Sequence, residues 1–241
     1  MKYRNLFLLL TAWEGFVWLG YNGHLMRTRI WILFDMKTIY EGFYLGGDYY
    51  NAGTYLLILA ITSVMAVEYC LKEESVPELV RCRSRTDFVS RRWRTLAAVS
   101  LLYVAVHFAM GYGLSRALFD GALTNTRQTA FFYFVSAPLL SCFFLRVNVV
   151  YTFLRDLFPK KLFAITGILA LYLAEYFSGY YILTNLWMPC KDVDMGRAAY
   201  FGSVGAVELL LALVRQGGIT VMAVVLSTKY FERKDVIQLE R

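Results

Sequence analysis

The sequence predicts an all-α, polytopic membrane protein: a six-transmembrane-helix bundle with a short cytoplasmic helix. Two observations favour this class. Hydrophobic residues make up 58% of the 241 positions and charged residues only 18%, whereas about 25% of the residues of soluble domains are charged. The chain also contains several apolar runs near the roughly 20 residues that a helix needs to cross a bilayer. This composition excludes a disordered chain, and four scattered cysteines are too few for a secreted disulfide framework.

Six apolar runs meet or approach the length of a membrane span. We predict one transmembrane domain over residues 1–241, with spans at about 5–21, 52–70, 95–114, 128–154, 162–183 and 206–231. The stretch Ile30–Tyr50 contains Asp35, Lys37 and Glu41, so we predict an interfacial amphipathic segment there. Its many aromatic residues fit either an interfacial belt or the mouth of an exit path.

The distribution of basic residues predicts the orientation. With the N-terminus inside and six crossings, 16 of the 25 Lys and Arg residues lie on the inner side and seven on the outer side, while Arg146 and Arg215 fall within spans. This asymmetry follows the positive-inside rule. We therefore expect a multi-pass protein of the cell membrane with both termini in the cytoplasm. The net charge of +7 reflects this topology, and we expect membrane lipid and no nucleic acid as a partner.

Charged residues interrupt the predicted spans, where each costs about 2.5–3.5 kcal/mol on insertion scales. Arg146 lies toward the inner end of its span, so we expect its side chain to snorkel to the headgroups. Arg215 lies near the middle of its span, and we expect it to be buried against Glu14 or Glu175. Such residues form either a structural ion pair or the polar lining of a substrate path. The candidates for these roles are Glu14, Glu175, Glu208 and Arg215.

The stretch between the second and third spans contains its own helix signals. Ser75 precedes Glu78 by three residues, which is the spacing of a capping box, and Pro77 falls in the first turn. We predict a short amphipathic helix from about Val76 to Arg83. The pattern alone leaves open a docking element or a basic helix lying on anionic lipid. The candidate contact residues are Val76, Glu78, Leu79, Val80, Arg81 and Arg83.

Several features of the chain resemble the permease subunits of type-2 ATP-binding cassette (ABC) exporters. The second span ends in Glu68-Tyr69, a short helix follows, and Ser84-Arg85 precedes the basic-aromatic run RRWR at 91–94. The last span continues into KYFERKDVI at 229–237, which is similar to the end of such permeases. One departure is that only five residues precede the first span, where the family has an amphipathic elbow helix.

The resemblance implies a subunit of an ATP-driven exporter that moves a peptide, an antibiotic or a lipid-like amphipathic molecule across the cell membrane. It implies that the helix at 76–83 is a coupling helix that contacts a cytoplasmic ABC ATPase dimer. It also implies that a second copy or a paralogous permease completes the path. The sequence has no G-x-x-x-x-G-K-[ST] motif, so a separate ATPase would bind ATP and Mg²⁺. We expect no catalytic residue, metal or cofactor in this chain.

Two other classes stay open at this stage: a six-span channel or signalling accessory protein, and an intramembrane enzyme. The chain contains no filter-like loop that would indicate a channel. Its two histidines, His24 and His107, form no His-x-x-x-His motif of the kind that convergent catalytic or metal-binding groups need. We interpret His107 as a hydrogen-bonded packing residue rather than a proton carrier.

Overall fold

The computed structural model describes residues 2–27, 35–41, 48–71, 85–119, 124, 126–158 and 160–233, and within these ranges the chain is helical with no β-strand. The predicted all-α class is therefore confirmed for the described chain. The helices are α1 Lys2–Arg27, α2 Met36–Thr38, α3 Ala52–Leu71, α4 Arg85–Leu118, α5 Arg127–Leu157, α6 Lys161–Ile182, α7 Pro189–Val193, α8 Met195–Tyr200 and α9 Ala206–Arg233. A π-helical segment, Tyr55–Leu59, lies within α3, and a second, Ser178–Ile182, ends α6.

Five of the described helices, α3, α4, α5, α6 and α9, are long and apolar enough to cross a membrane. They coincide with the second to sixth predicted spans and indicate a transmembrane helical protein. Helix α1 has 26 residues, which is sufficient length, but it is less apolar and contains Glu14 and Asn22. The first predicted span, and with it the count of six, therefore stays a prediction.

Helix α5 lies at the centre of the bundle and packs against α3, α4, α6, α7, α8 and α9. A helix that is apolar on all sides is stable only when neighbours surround it. Much of α5 has this character, because Phe143, Phe144, Val147, Val149 and Tyr151 are all fully buried although they do not share one face. Helix α1 packs mainly on α4 and so lies at the edge of the bundle.

The exposed face of α9 is apolar, as expected for a helix that contacts lipid tails. Its large exposed apolar side chains are Val207, Leu210, Leu211, Val214, Val221, Met222, Val225 and Leu226. Gly217 and Gly218 have open space where a side chain would begin, with no atom within 4 Å. They are therefore not points of close contact among the described helices.

The helices bring charged side chains together at one end of the bundle, which we call the basic end. The end of α3 meets the end of α5 there, because Glu68 contacts Arg155. The start of α4 meets the same end of α5 through Arg92 and Asp156, and α9 ends nearby, where Phe231 stacks on α4. Helices α3, α4, α5, α6 and α9 thus alternate in direction, because α6 also starts at this end with Lys161. The sequence predicts that the basic end is cytoplasmic.

Residues 30–50 were predicted to form an interfacial segment. Their described parts, 35–41 and 48–50, pack at the end of the bundle opposite the basic end. Ile39, Tyr40, Tyr49 and Tyr50 are each no more than 1% exposed, and only residues 35–38 are exposed. The prediction of an interfacial segment is wrong for the buried residues. The physical reason is that a tyrosine ring can be buried when its hydroxyl has a partner, as for Tyr40, whose hydroxyl lies 3.3 Å from Thr129 Oγ1.

The predicted coupling helix lies outside the described residues, which resume at Arg85. The structure therefore does not test the contact residues proposed above. The roles given to Val76, Glu78, Leu79, Val80, Arg81 and Arg83 stay predictions.

Candidate functional site

A network of hydrogen-bonded charges holds the basic end together, and its centre is Glu68 near the end of α3. The Glu68 carboxylate accepts hydrogen bonds from Tyr151 at 2.8 Å and Arg155 at 3.3 Å, both on α5, and from Lys161 at the start of α6. One carboxylate thus ties three helices together. Charge-assisted hydrogen bonds of this kind are roughly twice as strong as neutral ones.

A second ion pair lies beside Glu68 and joins α4 to α5. Arg92 donates two hydrogen bonds to the carboxylate of Asp156, at 2.6 and 3.0 Å, and both side chains are buried. The guanidinium also lies over the ring of Phe231 on α9, at 5.5 Å. A buried charge is tolerated only when it is paired in this way. Arg92 was noted in the sequence only as part of the run RRWR at 91–94, and Asp156 was not predicted as a site residue, although an acid within a basic inner loop was a usable signal.

These contacts together form a feature that we call the anchor layer: Glu68, Arg92, Tyr151, Arg155 and Asp156. Glu68 lies three residues before the end of α3, and Arg92 lies in the third turn of α4. Both bind one short stretch of α5. The segment 72–84 is therefore bounded by two helices that are fixed to the same part of the central helix.

Arg146 and Glu175 form an ion pair inside the bundle, with Nη2 and Oε1 3.2 Å apart. The Arg146 side chain is only 5% exposed, and its guanidinium lies 5.6 Å from the rings of Phe143 and Tyr172. The prediction that Arg146 snorkels to the headgroups is therefore wrong. Arg146 stays inside the bundle because the carboxylate of Glu175 and the ring faces of Phe143 and Tyr172 replace the water that its guanidinium loses.

Arg215 binds Asp192 of α7. The predicted partners, Glu14 or Glu175, are therefore wrong. Its Nε and Nη2 donate to the two carboxylate oxygens at 3.1 and 2.5 Å, and Asp192 also accepts from Trp187 Nε1. Arg215 lies nine residues into α9, about 14 Å at 1.5 Å per residue. The short helix α7 therefore enters the bundle from the opposite end, and Asp192 is fully buried there.

Glu208 does not take part in these pairs among the described residues. It lies in the first turn of α9, where its carboxylate accepts a hydrogen bond from the backbone N–H of Gly205. This is a helix-capping role, favoured by the positive end of the helix dipole. The four predicted path residues thus fall into separate contacts, and their role in a substrate path stays a prediction.

Asp194, between α7 and α8, fixes the loop at the opposite end to the start of α3. It accepts hydrogen bonds from the backbone N–H of Ala52 at 2.8 Å and from the hydroxyl of Tyr180. Arg197 lies 3.8 Å away. Burial raises the pKa of the Asp194 carboxyl, although these partners act in the opposite direction. Burial also raises the pKa of the nearby Cys190 thiol to about 11, so this cysteine is an unreactive packing residue.

The remaining predicted residue, Glu14 of α1, contacts His107 of α4. Oε2 of Glu14 lies 3.0 Å from Nδ1 of His107 and accepts a hydrogen bond of 3.0 Å from the hydroxyl of Tyr49. All three side chains are at most 1% exposed. The contact joins three parts of the chain that are distant in sequence, and it could not be predicted from local pattern.

Comparisons with known proteins give no relative for this chain. No family model matches it. No curated protein and no solved structure matches it either.

Proposed function

We propose that the chain is the transmembrane subunit of an ABC exporter, which moves a peptide, antibiotic or lipid-like amphipathic substrate across the cell membrane. A separate ATPase dimer would supply the energy, and a second permease subunit would complete the path. The observation that supports this proposal is the anchor layer. It fixes both helices that flank residues 72–84 to the central helix α5.

The support is mechanical. An ATPase that closes on ATP acts on a membrane subunit only through an element held rigidly at both ends. A force on residues 72–84 reaches α3 and α4 through the backbone. Glu68 of α3 and Arg92 of α4 then transmit it to Tyr151, Arg155 and Asp156 on α5. Because α5 packs on six other described helices, the force spreads through the bundle. A loop joined to freely sliding helices would not transmit it.

The test is whether residues 72–84 bind an ATPase. The chain is purified from its native membrane, and co-purifying polypeptides are identified by mass spectrometry. We expect a protein with a G-x-x-x-x-G-K-[ST] motif. The double variant Leu79→Asp with Val80→Asp should lose this partner, because apolar anchors usually dominate such interfaces. It should still insert and fold, because neither residue lies in a predicted span.

A control variant introduces an aspartate at the same end of the bundle but outside residues 72–84. Leu157→Asp adds an acidic group at an exposed position, 45% accessible, outside residues 72–84. The control should retain the ATPase. The proposal fails when the wild type brings down no ATPase, or when the double variant binds it as the wild type does.

A further inference from the structure

Glu14 and His107 form a buried pair of titratable groups that the contacts at the basic end do not involve. Both side chains are 0% exposed, and their contacting atoms, Oε2 and Nδ1, are 3.0 Å apart. Glu14 lies at the middle of α1, thirteen residues from Arg27. His107 is buried and hydrogen-bonded, as the sequence predicts, and the structure adds that its partner is an acid.

Aromatic rings enclose the imidazole of His107. Tyr49 stacks on it at 4.8 Å between ring centroids, and Tyr50 and Tyr55 approach it edge-on at 5.6 Å. Tyr55 begins the π-helical segment of α3, and such segments occur frequently at functional sites. The surroundings therefore exclude bulk water from the pair, and the hydroxyl of Tyr49 donates a hydrogen bond to Glu14.

Two polar atoms of the pair have no hydrogen-bond partner among the described residues: Oε1 of Glu14 and Nε2 of His107. Leaving a buried polar atom unsatisfied costs about 1–3 kcal/mol. If the pair served packing alone, two apolar side chains of similar volume would give the same packing at a lower cost in folding free energy.

The charge of the pair depends on how many protons it holds. Ionised Glu14 with neutral His107 has a charge of −1, one added proton makes the pair neutral, and a second makes it +1. Within the described part of the chain, the titratable side chains that face the pair are phenols, which are neutral near pH 7. They are Tyr49, Tyr50, Tyr55 and Tyr103, with Tyr133 behind Tyr50. The nearest charges beyond Tyr55 are Asp194 and Arg197, which pair with each other.

We propose that Glu14 and His107 form an intramembrane proton-binding site. One proton is held between Oε2 of Glu14 and Nδ1 of His107, because it removes the net charge that burial penalises most. The proposal goes beyond the exporter function and does not depend on it.

Polar side chains continue from this site toward the basic end. Ser100, Tyr103 and His107 share one face of α4 at spacings of three and four residues. The Tyr103 hydroxyl bonds to Thr62 of α3, and Asn148 of α5 bonds to both Ser63 and Ser100. These groups supply hydrogen-bonding atoms at successive turns between the proton site and the anchor layer.

The test uses the imidazole of His107 as its own probe. His24→Asn leaves His107 as the single histidine, and the full chain is labelled with ¹⁵N-histidine and placed in lipid nanodiscs. The imidazole resonances are followed as the pH is varied from about 5 to 9. In this background Glu14→Gln should lower the titration midpoint by at least one pH unit, a tenfold loss of proton affinity, because burial then acts without an opposing carboxylate.

A second variant should shift the midpoint in the opposite direction. Tyr49→Phe keeps the stacked ring but removes the hydroxyl that stabilises ionised Glu14, so the midpoint should rise. Glu175→Gln is the matched control, since it removes another buried carboxylate that contacts Arg146 and not His107. It should leave the midpoint unchanged. Glu14→Asp, a milder change, replaces Glu14→Gln if that variant does not fold, and it should lower the midpoint less.

Opposite shifts are not expected from a merely structural role. Equal midpoints in the parent and the Glu14 variant would overturn the proposal. So would shifts of the same sign in the Glu14 and Tyr49 variants, or a shift in the Glu175 control as large as that in the Glu14 variant.

Discussion

Charged residues inside this protein are held by specific partners on other helices. Arg92, Arg146 and Arg215 each bind one carboxylate and also lie over an aromatic ring. The arrangement repeats because a guanidinium needs both hydrogen-bond acceptors and a polarisable face when it leaves water. The ion pairs therefore determine which helix faces meet. Apolar contacts alone would select those faces less specifically.

The pair of Arg215 and Asp192 gives a prediction at this scale. The Asp192 carboxylate is 0% exposed and the Arg215 side chain 31% exposed. Arg215→Leu leaves a buried, unpaired carboxylate and should cost about 3–5 kcal/mol of stability. Asp192→Asn should cost less, because the freed guanidinium reaches solvent or headgroups.

The double variant separates a charge effect from lost packing. Arg215→Leu combined with Asp192→Asn removes both charges, so it should be more stable than Arg215→Leu alone. Thermal unfolding of the three variants in detergent measures this coupling. Additive losses would contradict the interpretation of this contact as a charge pair.

At the scale of elements, the short helices between α6 and α9 determine how the opposite end of the bundle is closed. Helix α7 carries Asp192 inward, and α8 packs directly on α5. The approach of α8 is close at Gly196, where an added Cβ would lie 1.8 Å from Oγ and 2.9 Å from Cβ of Ser136. Rotation of the Ser136 hydroxyl would relieve only the first of these contacts.

Gly196→Ala should therefore force α8 away from α5 and destabilise the protein by about 1–3 kcal/mol, as overpacking does. Gly217→Ala is the matched control, since the same methyl group meets no atom within 4 Å on α9. It should be neutral or slightly stabilising, because alanine is the better helix former. Thermal unfolding of both variants checks the difference. A similar loss in both would mean that the α8–α5 contact is looser than described.

At the scale of the whole molecule, alternating helices collect basic residues at one end. Glu68, Arg92, Arg155 and Lys161 meet there although they come from four helices. An even number of crossings would return the C-terminus to the side of the N-terminus. The positive-inside rule predicts that this side is the cytoplasm.

Accessibility labelling tests this orientation in intact cells. A cysteine introduced at Lys229, which is exposed at the basic end, should react with a membrane-impermeant reagent only after permeabilisation. A cysteine introduced at exposed Ser203, at the opposite end, should react without it. Labelling of the Lys229 position from outside would contradict the predicted topology.

The sequence by itself determined the helical membrane class and the positions of five long helices. The predicted spans at 52–70, 128–154 and 162–183 lie within three residues of the helices at both ends. Hydropathy is a local property, because each span must satisfy its own backbone hydrogen bonds in lipid. The less apolar first helix, which contains Glu14, is where this criterion is weakest.

Only the tertiary structure decided which charges pair and where the opposite-end loops lie. Sequence reasoning assigned Glu175 or Glu14 to Arg215, whereas Glu175 binds Arg146, Glu14 binds His107, and Asp192 binds Arg215. These partners are 23 to 93 residues apart along the chain. Hydropathy and charge spacing describe one helix at a time, but a partner is selected by how helices rotate and pack against each other. That choice belongs to the assembled bundle and leaves no local signal in the sequence.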